Sequence, residues 1–256
     1  MSAHGLDGGA AQAVAPVIDP GLAGSAPFLI ADRATGLVAT PAAEDSAAFR
    51  SHASGFEFAA KRFIDVCASL VLLILLSPFL LSIALLVRVG GPVIFSQGRV
   101  GRNGRTFACL KFRTMVPEAE TTLLRLLETH PEARAEWERA QKLTVDPRIT
   151  RLGSVLRKTS LDELPQLWNV LCGDMSLVGP RPALPSQLPL YGSAAKWYLS
   201  MRPGMTGPWQ VHARGDEDFR RRVEYDCYYA RNFSLLFDIG ILLKTVRVVF
   251  TGKGAK

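Results

Sequence analysis

Val66 to Val87 reads VCASLVLLILLSPFLLSIALLV, an apolar run without a charged residue. As one straight helix it extends ~33 Å, enough to cross a hydrocarbon core of ~30 Å. A single transmembrane helix is the plain reading of that length. Ser77-Pro78, near the middle, points elsewhere: proline removes a backbone donor and clashes with the preceding turn, so a kink or break is expected there. Basic residues flank both ends, Lys61 and Arg62 before and Arg88, Arg99, Arg102 and Arg105 after. A spanning helix normally concentrates its basic residues on one side. Both ends therefore look cytoplasmic, as for a helix that enters, bends at Ser77-Pro78 and returns. The run alone leaves the spanning and re-entrant topologies open.

Toward the N-terminus, residues 1–55 are rich in Ala, Gly, Pro and Ser and read as a mostly disordered tail, with a short strand at Pro27–Ile30. No secretory leader is expected, because the first apolar run comes too late. Toward the C-terminus the pattern turns to strands. Val93–Ser96 and Phe107–Phe112 flank Arg102-Asn103-Gly104-Arg105, and Asn-Gly is a strong hairpin signal. Alternation puts Phe107, Cys109, Lys111 and Arg113 on one face. Lys111 and Arg113 then form either a cationic site or a charge-guarded hairpin edge. Glu118–Lys142 reads as a helix pair bent near Pro131, and Tyr225–Phe250 as helix packed on the core or lying in the membrane interface. There Asp238, Lys244 and Arg247 make a second crossing costly. Lys244 and Arg247 are placed to meet anionic headgroups, and Lys253 and Lys256 either join them or form a solvated charged end.

The densest chemistry lies in LRKTSLDELPQLWN, Leu156–Asn169. Ser160 and Glu163 have capping-box spacing, but Pro165 disfavours that register. A helix starting at Leu161 or Asp162 leaves Pro165 in the first turn, where its missing N–H matters little. Asp162 and Glu163 are then either routine helix-start acids or part of a phosphate site completed by Arg157 and Lys158. Adjacent carboxylates on a helix diverge by ~100°, so one can approach phosphorus while the other holds a divalent metal. Pro180 and Pro182 stiffen the backbone around Arg181, which suits bidentate phosphate binding. In the Gly/Pro-rich loop RPGMTGPWQV, Arg202–Val211, Trp209 is open to three readings: base stacking, core packing or the membrane interface. Neither a Walker loop nor a dinucleotide fingerprint is present.

The succession KFRTM (Lys111–Met115), Asp146–Pro182 and Arg202–Val211 resembles the bacterial sugar transferase family, monotopic polyprenyl-phosphate phosphoglycosyl transferases of the type that initiates exopolysaccharide synthesis. The resemblance runs from about Lys61 to Phe250. It implies a helix broken at Ser77-Pro78 that dips into one leaflet, and a catalytic Asp162-Glu163 dyad. Asp162 would attack the β-phosphate of a UDP-sugar, and Glu163 would help hold Mg²⁺. Lys111, Arg157 and Arg181 match phosphate-binding positions, and Arg113 joins them as a cation of the same strand face. The fold expected is α+β: a helix-rich cytosolic catalytic domain with a small β-hairpin over 91–256, anchored by a Pro-broken re-entrant membrane helix over 56–90 and by interfacial amphipathic helices. The partners implied are a UDP-sugar, a polyprenyl (undecaprenyl) phosphate and membrane lipids at the cytoplasmic face of a bacterial inner membrane, with a homodimer left open. Short relatives tilt the sugar toward glucose or galactose. After Arg181-Pro182 the family pattern carries an acidic residue where this chain offers Gln187. After Trp209-Gln210-Val211 it carries a small residue and Gly-Arg, where this chain has His212-Ala213-Arg214. Both departures bear on substrate recognition rather than on the reaction. The resemblance also sets this chain apart from longer relatives that carry preceding membrane helices.

Bulk properties narrow the classes. A net charge of +7 and a pI near 9.5 suit nucleic acid, anionic membrane or phosphate-rich substrates equally, but a nucleic-acid binder would not need the apolar run. Cys67, Cys109, Cys172 and Cys227 are scattered, which argues against a disulfide framework or zinc site. A catalytically inactive membrane scaffold that recruits glycosyltransferases is the competing class, and the intact Asp162-Glu163 pair argues against it.

Overall fold

A computed structural model describes residues 55–140, 143–213 and 218–251. The expected tail and its strand at Pro27–Ile30 lie outside the described residues, as do Arg214, Lys253 and Lys256.

The apolar run belongs to one helix, α1 (Gly55–Arg88), which continues through Ser77-Pro78 instead of breaking there. The reason is local. Pro78 cannot donate to the Ile74 carbonyl one turn back, and the Ser77 hydroxyl donates to that carbonyl at 2.8 Å, so the orphaned acceptor is satisfied. One stripe of α1 is buried at helical spacing: Lys61, Asp65 and Ser69, then Ile83 and Val87. Leu72 and Leu73 pack on the main core, and Leu80 and Ala84 on a second cluster with Phe112 and Leu156. Residues on both sides of Pro78 thus rest on the same body. The opposite face leaves Val71, Ile74, Leu75, Leu81, Leu85 and Leu86 exposed.

The basic pair that opens α1 is structural. Lys61 donates to the Val178 carbonyl at 3.0 Å and pairs with the buried Asp238. Arg62 donates to the carbonyls of Val170 and Leu171 at 2.6 and 2.9 Å. These are last-turn carbonyls of α5 (Gln166–Cys172), which a cation satisfies in both hydrogen bonding and helix dipole. Asp65 accepts from the Leu177 amide at 3.0 Å.

The hairpin forms as expected, with strands longer at the turn end: β1 (Ile94–Val100) pairs antiparallel with β2 (Thr106–Phe112), Phe95 opposite Lys111. Asn103 and Gly104 both take positive φ, 58° and 78°, the combination that matches the twist of a tight hairpin. The helix pair is α2 (Ala119–Thr129) and α3 (Pro131–Ala140), divided where Pro131 was expected to divide it. Next comes α4 (Arg151–Thr159), whose N-cap Thr150 accepts from the Gly153 amide at 2.9 Å. Gly153 is required there: a Cβ would stand 2.0 Å from the Thr114 carbonyl oxygen.

A second, parallel pair was not legible in the sequence. β3 (Ser176–Val178) lies beside β4 (Gly204–Thr206), and β3 is buried throughout. The pair is clamped by glycine, since a Cβ on Gly204 would fall 2.1 Å from the Gly179 nitrogen. The remaining helices are α6 (Ala195–Ser200), α7 (Pro208–His212), α8 (Phe219–Arg231) and α9 (Leu235–Thr251). Val170, Met175, Val178, Tyr229 and Ile241 are at the centre of the core. Of the two readings of the C-terminal helix, α9 packs Asp238 and Ile241 inward while exposing Leu236, Ile239, Leu243 and Val246 along one stripe.

Candidate active site

A helical turn starts at Leu161 as expected, but it is a separate 3₁₀ turn and not the first turn of the helix that follows. α4 ends at Ser160 in the left-handed region (φ 59°), a 3₁₀ turn covers Leu161–Glu163, and α5 starts only at Gln166 with Pro165 as its N-cap. Leu161 packs on the second cluster. That anchors the turn so that the Asp162 carboxyl is buried while Glu163 stays partly accessible. The Ser160 side chain makes no cap hydrogen bond.

β2 supplies the cation that joins the pair. The Lys111 ammonium donates to Glu163 Oε1 at 2.7 Å and lies 4.0 Å from Asp162 Oδ2. Both carboxylates therefore reach one ammonium. Arg181 Nη2 lies 3.5 Å from the same Glu163 oxygen. Arg157 comes from α4, where the close approach at Gly153 lets its Nε donate to the Thr114 hydroxyl at 2.9 Å. Burial pushes the Asp162 carboxyl above the ordinary carboxylate range; Lys111 and Arg157 pull the other way, and Glu163 adds to the rise. Burial also holds the Arg157 guanidinium below its ordinary value, with Asp162 opposing. Asp162 is thus a desolvated carboxyl facing cations, a setting that raises the reactivity of its ionised form.

These residues line one cleft of about 680 Å³, within the range of small-molecule sites. Lys111, Arg157 and Arg181 come together there with Asp162 and Glu163. Arg113 also lines the cleft, but three of its nitrogens donate to backbone carbonyls, those of Pro92, Met115 and Val87 at 2.7, 3.3 and 2.9 Å. It ties the last turn of α1 to the hairpin, the opposite of a cation held ready for phosphate. Ser77 and Pro78 lie in the apolar helix, away from the cleft lining.

Three further side chains bear on the cleft: Arg99 and Arg222, which no local pattern marks as site residues, and Trp209, for which the sequence leaves three roles open. Arg99, a flanking charge by sequence, lines the cleft and donates to the Pro182 carbonyl at 3.0 Å and to Gln97 at 2.6 Å. Burial, then the charge of Arg181, lowers its pKa. Trp209 lies under Arg181, its ring 5.7 Å from the guanidinium carbon. Arg222 Nη2 donates to the Arg181 carbonyl at 2.7 Å and faces the fully buried Asp226, which accepts from the Tyr191 hydroxyl at 2.7 Å. Only the strand register, which puts Arg99 on the Lys111 face, could have flagged the first of these. Gln187, standing where an acid was expected, accepts from the Leu184 amide at 3.0 Å.

Among the described residues no group of three or more His, Cys, Asp or Glu side chains comes together. Two adjacent carboxylates still fit Mg²⁺, a hard cation that commonly takes one or two protein carboxylates and completes its shell with water and substrate phosphate oxygens.

The family model described as bacterial sugar transferase matches residues 56–252. An uncharacterized sugar transferase of Haemophilus influenzae is 52% identical over 196 residues, covering 76% of this chain and 42% of that protein. The undecaprenyl-phosphate galactose phosphotransferase of Salmonella typhimurium is 50% identical, over 76% of this chain and 41% of its own length. The exopolysaccharide production protein ExoY of Sinorhizobium fredii is 47% identical, over 76% and 87%. The chain spans about two fifths of the length of the first two relatives and most of the third.

Proposed function

The chain belongs to the bacterial sugar transferase family, and from that membership we propose that it transfers a sugar-1-phosphate from a UDP-sugar to polyprenyl phosphate, the first membrane step of exopolysaccharide or glycoconjugate synthesis. One observation carries the reading: a buried Asp162 carboxyl beside Glu163, with Lys111 reaching both and Arg157 and Arg181 alongside. A carboxylate attacks a dianionic diphosphate only where cations neutralise the charge, and this cleft supplies them.

In the first half-reaction an Asp162 oxygen attacks the β-phosphorus of the UDP-sugar. A phosphorus–oxygen bond forms to the carboxylate, the bond to the bridging oxygen breaks, and UMP leaves with that electron pair. In the second, a phosphate oxygen of the polyprenyl phosphate attacks the same phosphorus and the Asp162 carboxylate is released. Lys111 and Arg181 hold the phosphoryl oxygens and keep Glu163 in place, while Arg157 steadies the charge beside Asp162. Mg²⁺, held by Glu163, would supply further charge neutralisation at the diphosphate. The donor is a UDP-hexose, galactose first, on the strength of the galactose phosphotransferase at 50% identity against 39% for an N-acetylgalactosamine phosphotransferase of Aeromonas hydrophila.

The site works at the cytoplasmic face of the inner membrane, with both ends of α1 on the cytoplasmic side and its exposed apolar face in the near leaflet. In support, residues on either side of Pro78 rest on the same body, whereas a crossing helix would carry one end to the far side. Single cysteines at positions 55 and 95 in a cysteine-free background are expected to be labelled only from the cytoplasm; labelling of either from outside means a true span. For the chemistry, rapid mixing with UDP-galactose and Mg²⁺ alone is expected to release one UMP per enzyme and to add a phosphohexose mass to the peptide bearing Asp162. Absence of both the burst and the adduct with every UDP-sugar tried refutes the covalent reading.

A further inference from the structure

The floor of the cleft is the hairpin, and its polarity changes along its length. Residues directly opposite in an antiparallel pair share a face, and so do every second residue along each strand. Phe95 opposite Lys111, Gln97 opposite Cys109 and Arg99 opposite Phe107 therefore form one surface. At the turn end, Arg99 and Gln97 are hydrogen-bonded to each other and Arg99 to the Pro182 carbonyl beside Arg181. At the other end, level with Lys111 and beyond it, the lining is mainly apolar: Phe95, Ile94, Pro92, Met115, Val116 and Pro117, joined by Thr114 and by Arg113, whose guanidinium is taken up by backbone carbonyls. Phe95 and Ile94 are 51% and 43% exposed although they line a cleft whose other end is charged. From Arg99 to Phe95 the strand rises ~13 Å.

That apolar end is tied to the last turn of α1. Arg113 joins the Val87 carbonyl in the last turns of α1 to the carbonyls of Pro92 and Met115, both on the apolar wall.

Stereochemistry adds a constraint, resting on the two-step reaction proposed above. In each in-line step the group opposite Asp162 is first UMP and then the acceptor phosphate, so the two phosphates use one position in turn. What hangs from them differs: a polar nucleoside in one case, an isoprenoid chain in the other. We infer that the cleft separates the two by polarity, and that the wall formed by Ile94, Phe95 and Met115–Pro117 is the binding site for the first isoprene units of the acceptor, leading them from the α1 face to Asp162, while the nucleoside occupies the Arg99 end.

The test is Phe95→Asn, measured separately on the two half-reactions in detergent micelles with undecaprenyl phosphate. The UMP burst and its dependence on UDP-sugar are expected to stay as in the unsubstituted enzyme, while KM for undecaprenyl phosphate rises about 10-fold, the change that ~1.4 kcal/mol produces. With the unsubstituted enzyme, a water-soluble short-chain prenyl phosphate of two isoprene units is expected to be preferred over a saturated alkyl phosphate of one carbon, and Phe95→Asn to erase most of that preference. An unchanged acceptor KM overturns the inference, and so does an equal rise in KM for both substrates. Should Phe95→Asn lose the burst through misfolding, Met115→Gln reads the same two quantities from another position in the same wall. Absence of any burst from the unsubstituted enzyme is the separate failure of the reaction itself.

Discussion

Lys61 and Asp238 form a buried ion pair 177 positions apart in sequence, and breaking it offers a direct test of how α1 is held to the catalytic body. Lys61 is 8% and Asp238 7% exposed. In Lys61→Met, Asp238 keeps one partner, the Tyr229 hydroxyl at 2.7 Å, and remains an uncompensated buried carboxylate. The Val178 carbonyl loses Lys61 and lies 3.1 Å from the same hydroxyl, whose single proton it shares with Asp238. Removing one member of a buried pair costs ~3–5 kcal/mol, a large share of a typical stability of ~5–15 kcal/mol. The double variant Lys61→Met with Asp238→Leu removes both charges, leaves Tyr229 an acceptor in Val178, and is expected to recover most of the loss. The assay is urea unfolding of the detergent-solubilised protein followed by tryptophan fluorescence. A pH arm sharpens it. Burial already raises the Asp238 pKa, and Lys61 opposes the rise. Without Lys61 the folded carboxyl binds its proton still more tightly than the unfolded one does. Stability of Lys61→Met must then increase as pH falls through that raised value and be lowest above it. A single-variant loss under ~1 kcal/mol, or a double variant as unstable as the single, refutes the reasoning.

Other outcomes follow from the same geometry. Asp162→Asn is expected to lower turnover at least ~10³-fold without lowering the thermal midpoint, because the folded state binds the Asp162 proton more tightly than the unfolded state and its ionised form is destabilising at neutral pH; a clear drop in midpoint contradicts the assigned burial. For the same reason the acid limb of the UMP burst should fall at a pH above the ordinary carboxylate range, and burst amplitudes measured across pH will read it. Tyr191→Phe removes a donor from Asp226, whose pKa burial pushes up to about 6; a stability loss of ~1.5–3 kcal/mol in thermal melts, with a raised KM for the UDP-sugar through Arg222 and Arg181, is expected. Gly204→Ala drives a methyl to 2.1 Å from the Gly179 nitrogen and should cost ~1–3 kcal/mol or more while weakening UDP binding by calorimetry. Unchanged binding there would detach Arg181 from the β3–β4 clamp.

Much of this protein is written locally. The uncharged run Val66–Val87 specifies apolar helix by composition, though not its unbroken passage through Ser77-Pro78, and Asn103-Gly104 specifies the hairpin because few residues accept positive φ twice in succession. Pro131 divides α2 from α3 by removing a donor. The Asp162-Glu163 pair and Arg181 between two prolines stand out in the sequence and line one cleft in the fold. What local pattern could not assign is which cation serves which anion. Lys61 and Arg62 look like a topology signal until α5, β3 and α9 fold against them. Arg113 and Lys111 share a strand face, yet one ties backbone carbonyls and the other bridges two carboxylates. Strands β3 and β4 are three residues each, too short for alternation to be read, and exist because Gly179 and Gly204 let their backbones meet. Charge, length and turn chemistry are properties of neighbours in sequence. Partnership across 50 to 180 positions is decided by packing, because only the folded core fixes which buried donor lies within reach of which acceptor.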